Sequence, residues 1–345
     1  MKVAEGVVKK AQLLEAGMIY SSDHDLFASA ERPTAGPDAG LKALFLRYDR
    51  YRVRTAITQN VGASQFQLKR MGDSYCVFRG ESVFLRNVTL ENPLFHTPNQ
   101  AFINLASSCI FDCKYCATPK LKLRFKLEPK RVVELVRSAL RRNNNLKAIA
   151  LTSGVIGSER ETIKLMTDTV TLIRKELGTQ ISIGVEPFVT KQDHIDELYS
   201  AGCDEIKVNV ESFEKEIVKA VCPAIDYDKV LLALEYSVDV FGKNRVCSNV
   251  LIGLGESNEN VLNGLEWMAE RGVVANLRPL LVNPYRMQDL AKATQGIAGR
   301  PSASRILQLA LDYRSILNQY QLNTHSFKTM CHKCTGCEIV PQQDL

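Results

Sequence analysis

From residue 100 onward the chain alternates short, almost wholly apolar runs with longer stretches in which apolar residues recur at helical spacing. The runs AFINLAS (101–107), AIALTSG (148–154), SIGVEP (182–187), EIKVNVE (205–211), CSNVLIGL (247–254) and ANLRPLLV (275–282) read as strands. Apolar on both faces, they fit a parallel sheet covered on each side. Helices are predicted between them at 129–142, 160–177, 191–201, 227–241 and 258–271. Within 227–241, Val230, Leu234, Val238 and Phe241 repeat at helical spacing and define one buried face. Thr190 and Gly202 are placed to cap and end the third helix, and Ser257 and Gly272 to do the same for the fifth. Strand–helix–strand units of this kind cross over right-handedly. Six of them make a partial (β/α)6, TIM-like barrel, short of eight-fold closure.

The flanks have a different texture. A helix is expected over 3–17, followed by a Pro/Gly/Ala-rich loop, SAERPTAGPDAG. FQLKRMGDSYCVFRGESVFLRNVTL then alternates β-rich runs with Gly-Asp and Gly-Glu turns, which predicts a small antiparallel meander. After the last strand, Ile306, Leu309, Tyr313, Ile316, Leu317 and Tyr320 form one stripe of a helix over 302–320. The expected division is therefore an extension at 1–95, a core at 96–300, and a helix with a cysteine-rich, metal-binding tail at 301–345.

Composition narrows the class. Of 345 residues, 45% are hydrophobic and 24% charged, which is ordinary for a soluble globular enzyme. No apolar run reaches the ~18 residues of a membrane span, and Glu5, Lys9 and Lys10 interrupt any signal-like segment, so a cytoplasmic protein is expected. The net charge of +6 is scattered, without a basic stripe interleaved with aromatics, so nucleic-acid binding is not expected. Ten cysteines in a reducing compartment point to metal or redox chemistry rather than disulfides.

Three of those cysteines crowd into NLASSCIFDCKYCATPKLK. Cys109, Cys113 and Cys116 follow directly on the first core strand, at the barrel face where such folds build their sites. Three thiolates on a four-iron cluster leave one iron open. The spacing, its place after strand one, and Tyr115 beside the last cysteine resemble the radical S-adenosylmethionine (SAM) superfamily, in biotin-synthase-like and methanogen forms. The resemblance implies a [4Fe–4S] cluster on Cys109, Cys113 and Cys116. Its open iron would be chelated by the SAM amine and carboxylate, and one electron would cleave SAM to methionine and a 5′-deoxyadenosyl radical. It also implies an external electron donor, flavodoxin or ferredoxin, and packing of Tyr115 near the adenine.

Further positions follow from the same resemblance. Ser153 and Gly154 stand where the family often carries Gly-Gly-Glu for the SAM amine, here without the acid. Glu186 closes the third strand, and Asn209 and Glu211 on the fourth are placed for the SAM ribose. Ile252, Gly253 and Gly255 match the adenine-binding strand, and Arg278 is a carboxylate ligand for SAM or substrate.

A second triplet, Cys331, Cys334 and Cys337 in MCHKCTGC, again lacks a local fourth ligand, because Pro341 stands where a ferredoxin run would have cysteine. A second metal site is expected, either mononuclear iron or zinc or an auxiliary iron–sulfur cluster. Cys222 is the favoured distant ligand, with Cys76 and His332 as alternatives. For the reaction, three courses stay open. The favoured one is C-methylation of a peptide or protein, such as glutamine or arginine of methyl-coenzyme M reductase, with cobalamin. The second is small-molecule cofactor biosynthesis by radical rearrangement or sulfur insertion, and the third a non-catalytic metal scaffold. The usual Asp-x-His-x-x-Gly cobalamin pattern is missing, since SSDHDLF has Asp23, His24 and Asp25 but no glycine at the right offset.

Overall fold

The computed structural model describes residues 3–92, 97–143, 146 and 148–345. Two sheets organise it. The first is a closed barrel built from β1 (Met18–Tyr20), β2 (Ala43–Tyr48), β3 (Tyr51–Thr58), β4 (Phe66–Met71), β5 (Ser74–Arg79) and β6 (Ser82–Glu91). The expected antiparallel pairs are there, β4 with β5 and β5 with β6. The difference is closure: the three-residue β1 runs parallel to both β3 and β4 and joins the two ends. Ile19, Leu46, Val53, Phe66, Leu68, Val77 and Val88 fill the interior. Closure removes the free strand edges that an open meander would leave.

The second sheet is wholly parallel, in the order β12 (Val274–Pro279), β11 (Val246–Ile252), β10 (Glu205–Lys207), β9 (Ser182–Glu186), β8 (Ala148–Thr152) and β7 (Gln100–Asn104). Helices Pro129–Arg142, Glu159–Leu177, Gln192–Ser200, Tyr227–Phe241 and Asn258–Glu270 lie between successive strands. Ser257 caps the last of these by accepting from the Asn260 amide at 3.0 Å. Thr190 does not cap Gln192–Ser200, as the sequence suggested. Its amide and hydroxyl donate instead to the Glu159 carboxylate at 3.0 and 2.6 Å, tying neighbouring strand–helix junctions together. Short helices at Lys215–Val221 and Met287–Ala293 were not foreseen.

The C-terminal segment is not an appendage. Helix Ala303–Gln319 packs on the N-terminal helix Glu5–Ala16, and the chain then turns under the parallel sheet. The amides of Lys328 and Thr329 donate to Glu205 at the start of β10, at 2.7 and 3.0 Å. Met330 exchanges hydrogen bonds with the Gln100 side chain at the start of β7. A Cβ on Gly184 of β9 would lie 2.1 Å from Thr329 Oγ1, so glycine is what lets the segment sit there. From the other side, Arg52 Nη1 donates to Cys334 O and the Arg54 amide to Gly336 O, both at 2.7 Å. The tail is thus clamped between the small barrel and the amino ends of the parallel strands.

Candidate active site

At the carboxyl ends of β7 and β8 the backbone is laced together before any side chain contributes. The Gly154 amide donates to Ala106 O at 3.1 Å and the Ile110 amide to Val155 O at 2.9 Å. A Cβ on Gly154 would meet Ser108 O at 2.2 Å, so this crossing demands glycine. The loop then turns at Cys113–Cys116, where the Cys116 amide donates to Cys113 O at 3.0 Å. Arg286, only 1% exposed, holds the turn from outside: Nε donates to Cys116 O at 2.7 Å while the guanidinium pairs with Asp112 and Asp289.

A cavity of about 210 Å³ opens inside this loop. Cys109, Cys113, Tyr115, Cys116, Ser153, Gly154, Glu186, Asn209, Glu211 and Arg278 all line it, joined by Leu251. Glu211 takes a left-handed backbone conformation, φ 69°, and its carboxylate accepts from the Tyr115 hydroxyl. Burial pushes that carboxyl up to about 7, because the ring bond only partly offsets lost hydration. Asn209 Nδ2 donates to Glu186 Oε1 at 2.9 Å, fixing both side chains on the cavity wall. Burial pushes the Cys116 thiol up to about 11.

Three expectations do not match. Ile252, Gly253 and Gly255 line neither this cavity nor its neighbour. Gly253 faces Gly299 O, and the Gly253 and Leu254 amides are already taken by Glu256 at 2.7 and 2.8 Å. Cys222 lies at the first triplet rather than the tail: it caps helix Lys215–Val221, its sulfur is 3.6 Å from Tyr115 Oη, and it hydrogen-bonds Cys113. Cys76 is in the small barrel, on β5. His332 is buried against Asn276 and Val274 O, where burial lowers its pKa to about 3 and keeps it neutral. His24 is exposed, beside Gln59 at 2.8 Å, away from both cavities.

The neighbouring cavity is larger, about 420 Å³, and shares Thr152, Glu186, Asn249 and Arg278 with the first. The loop Glu31–Asp38 forms one wall and Cys331, Cys334 and Cys337 form another. The two triplets therefore border adjoining cavities, both lined by strands of the parallel sheet. The larger cavity is also lined by Lys207, a residue not singled out in the sequence. Its signal was a charge inside an apolar strand, EIKVNVE. Burial would lower its pKa, but the Cys331 sulfur at 3.2 Å and Glu186 at 3.3 Å hold the ammonium above its usual value.

Among the described residues, no three His, Cys, Asp or Glu side chains are already drawn into a metal-ligand cluster. The donor chemistry of the first triplet nonetheless fits a cluster with one open iron: Cys109, Cys113 and Cys116 line a cavity on one side, and the Cys222 thiol, which does not line that cavity, is taken up by Cys113 and the Tyr115 hydroxyl.

Residues 103–268 match the family model described as Radical SAM superfamily, so this part of the chain is a radical SAM domain and the protein is an enzyme. That family uses a [4Fe–4S] cluster and SAM. Among solved structures, the chain is similar to SuiB of Streptococcus suis bound to S-adenosylmethionine, at 12% identity and TM-score 0.52, over 68% of this chain and 50% of that one. It is also similar to methylornithine synthase, at 14% identity and TM-score 0.46, over 62% and 68% of the two chains. The hydrogenase maturase HydG of Carboxydothermus hydrogenoformans follows at 17% and 0.44, over 61% and 56%. At these identities the likeness speaks to fold alone. No curated protein sequence matches the chain. Among the described residues no helix is long and apolar enough to cross a membrane.

Proposed function

We propose that Cys109, Cys113 and Cys116 hold the [4Fe–4S] cluster and that SAM occupies the 210 Å³ cavity beside them. When bound, cluster and SAM together supply a one-electron cleavage of the sulfonium and an adenosyl radical able to take hydrogen from an unactivated carbon. The chain's own residues bind and orient. Glu211 and Asn209 present acceptor and donor groups to ribose hydroxyls, Ser153 and the Gly154 backbone face the SAM amine, and Arg278 faces a carboxylate. Tyr115, 6% exposed, closes the cavity against water on the adenine side. An external flavodoxin or ferredoxin serves as electron donor.

The substrate sits in the adjoining 420 Å³ cavity, and this is the observation that carries the reading: ten expected cofactor and cluster positions line one cavity, which shares its wall with a second. The size and the charged lining (Glu186, Lys207, Arg278) favour a small polar molecule, and hence cofactor-type biosynthesis, over a peptide. C-methylation of methyl-coenzyme M reductase with cobalamin draws no support from His24, which lines neither cavity.

Anaerobic reconstitution, reduction with dithionite and addition of SAM should yield 5′-deoxyadenosine and methionine, and Cys113→Ala should abolish both. A reconstituted, reduced protein that leaves SAM intact would overturn the assignment.

A further inference from the structure

The tail cysteines were expected to form a mononuclear iron or zinc site or an auxiliary iron–sulfur cluster, with Cys222 as the favoured distant ligand. The fold instead puts Cys222 at the other triplet and turns Cys331, Cys334 and Cys337 toward the larger cavity. We propose that these three hold a second iron–sulfur cluster in the floor of the larger cavity, with one iron open to that cavity and able to take a small donor ligand.

Three observations carry this. First, all three cysteines line the cavity, and the described residues lining it with them include no fourth cysteine and no histidine: the charged groups there are Arg32, Lys207 and Arg278 with the carboxylates of Glu31, Asp38 and Glu186. Three thiolates on four irons leave one position unfilled, and the free space lies on the cavity side. Second, two cationic side chains converge on one sulfur. Lys207 Nζ is 3.2 Å and Arg278 Nη1 3.5 Å from Cys331 Sγ, while Lys207 has Glu186 as its carboxylate partner. A neutral thiol is a weak acceptor and a poor reason to aim two cations at one atom; an anionic, metal-bound sulfur is a good one. Third, the segment is held as a ligand loop must be. Glu205, Gln100, Arg52 and the Arg54 amide fix its backbone on both sides, so the cysteines are positioned by the fold and not by the metal.

Cys247 is the rival fourth ligand. It is in register with Lys207 on the adjacent strand, so its side chain faces the same floor, but it does not line the cavity. The inference goes beyond radical SAM activity and is tested without it: SAM cleavage can stand while the tail site fails, and the reverse.

The experiment uses the full chain with Cys109, Cys113 and Cys116 all changed to Ala, reconstituted anaerobically with iron and sulfide. About four irons and four sulfides per chain should remain, and a further Cys331→Ala should remove them. Added ¹³C-cyanide should give the reduced cluster a ¹³C hyperfine coupling, reporting the open iron, and Cys247→Ala should leave both iron and coupling in place. Absence of bound iron, a single zinc without sulfide, a cluster without ¹³C coupling, or loss of iron in Cys247→Ala would each overturn the proposal. Should the triple variant fail to fold, the complementary variant, with Cys331, Cys334 and Cys337 changed to Ala, is compared with the intact chain. Loss of half the iron and sulfide with an unchanged circular dichroism spectrum supports the site, and an unchanged iron content overturns it.

Discussion

Single residues decide whether the first triplet can be held. Gly154 is needed for space and not for backbone freedom, since a Cβ would stand 2.2 Å from the Ser108 carbonyl oxygen and 3.2 Å from the Cys109 Cβ. Gly154→Ala must push the Cys109 loop away from β8 at a cost of roughly 1–3 kcal/mol. The expected result is a lower unfolding midpoint, together with a fall in cluster iron in protein whose tail cysteines are intact. An unchanged midpoint and iron content would mean that the loop yields without effort. Arg286 acts at the same loop from its outer side, satisfying the Cys116 carbonyl and pairing Asp112 and Asp289. Arg286→Lys keeps a charge but cannot span the carbonyl and two carboxylates in one plane. It should slow cluster reconstitution several-fold while leaving circular dichroism unchanged.

At the scale of elements, Gly184 and Glu205 join the tail to the floor of the parallel sheet. Gly184→Ala would drive a methyl group to within 2.1 Å of Thr329 Oγ1, and should lower stability by roughly 1–3 kcal/mol in a denaturant titration. The same variant should increase protease cutting between 320 and 330, and a chain as resistant as the parent would show that Thr329 simply rotates away. These contacts also mark the boundary of what the sequence disclosed. The strands from Gln100–Asn104 to Val274–Pro279 and the helices between them were legible because burial on both faces or on one face leaves a periodic apolar record. The Cys109 triplet was legible through its place after the first of those strands. Closure of the small barrel was not: it hangs on Met18–Tyr20, three residues too few to show alternation, paired with segments far along the chain. The tail's location was not legible either, since a run of cysteines carries no address. Its partners Glu205 and Gln100 looked like ordinary polar residues at strand ends. Cys222 misled because the seven-residue helix it ends, Lys215–Val221, was too short to predict, and that helix turns it toward Tyr115.

The whole molecule is closed by a pairing of its two ends. Lys10, on the first helix, is fully buried, and its ammonium donates to Asp344 Oδ2 at 2.8 Å and to Thr335 O at 2.7 Å. Asp344 in turn accepts from the Val340 amide at 2.7 Å, and its own carbonyl receives Arg50 Nη2 of the small barrel at 2.9 Å. The N-terminal helix, the small barrel and the tail therefore meet at one buried ion pair, and the tail cysteines hang between that pair and the parallel sheet. A buried pair in such a place adds little net stability compared with apolar residues of the same size, but losing one partner strands a charge. Lys10→Met should therefore cost roughly 3–5 kcal/mol. Lys10→Met with Asp344→Leu should recover much of that loss, although Thr335 O and the Val340 amide then lack their partners. Denaturant unfolding followed by the fluorescence of Trp267, the only tryptophan, measures all three chains. If the pair serves to hold the tail under the barrel rather than to stabilise the fold, the double variant will fold well yet accept less iron at Cys331, Cys334 and Cys337. Equal additive losses from the two single changes, with iron uptake untouched, would reduce the pair to an incidental contact.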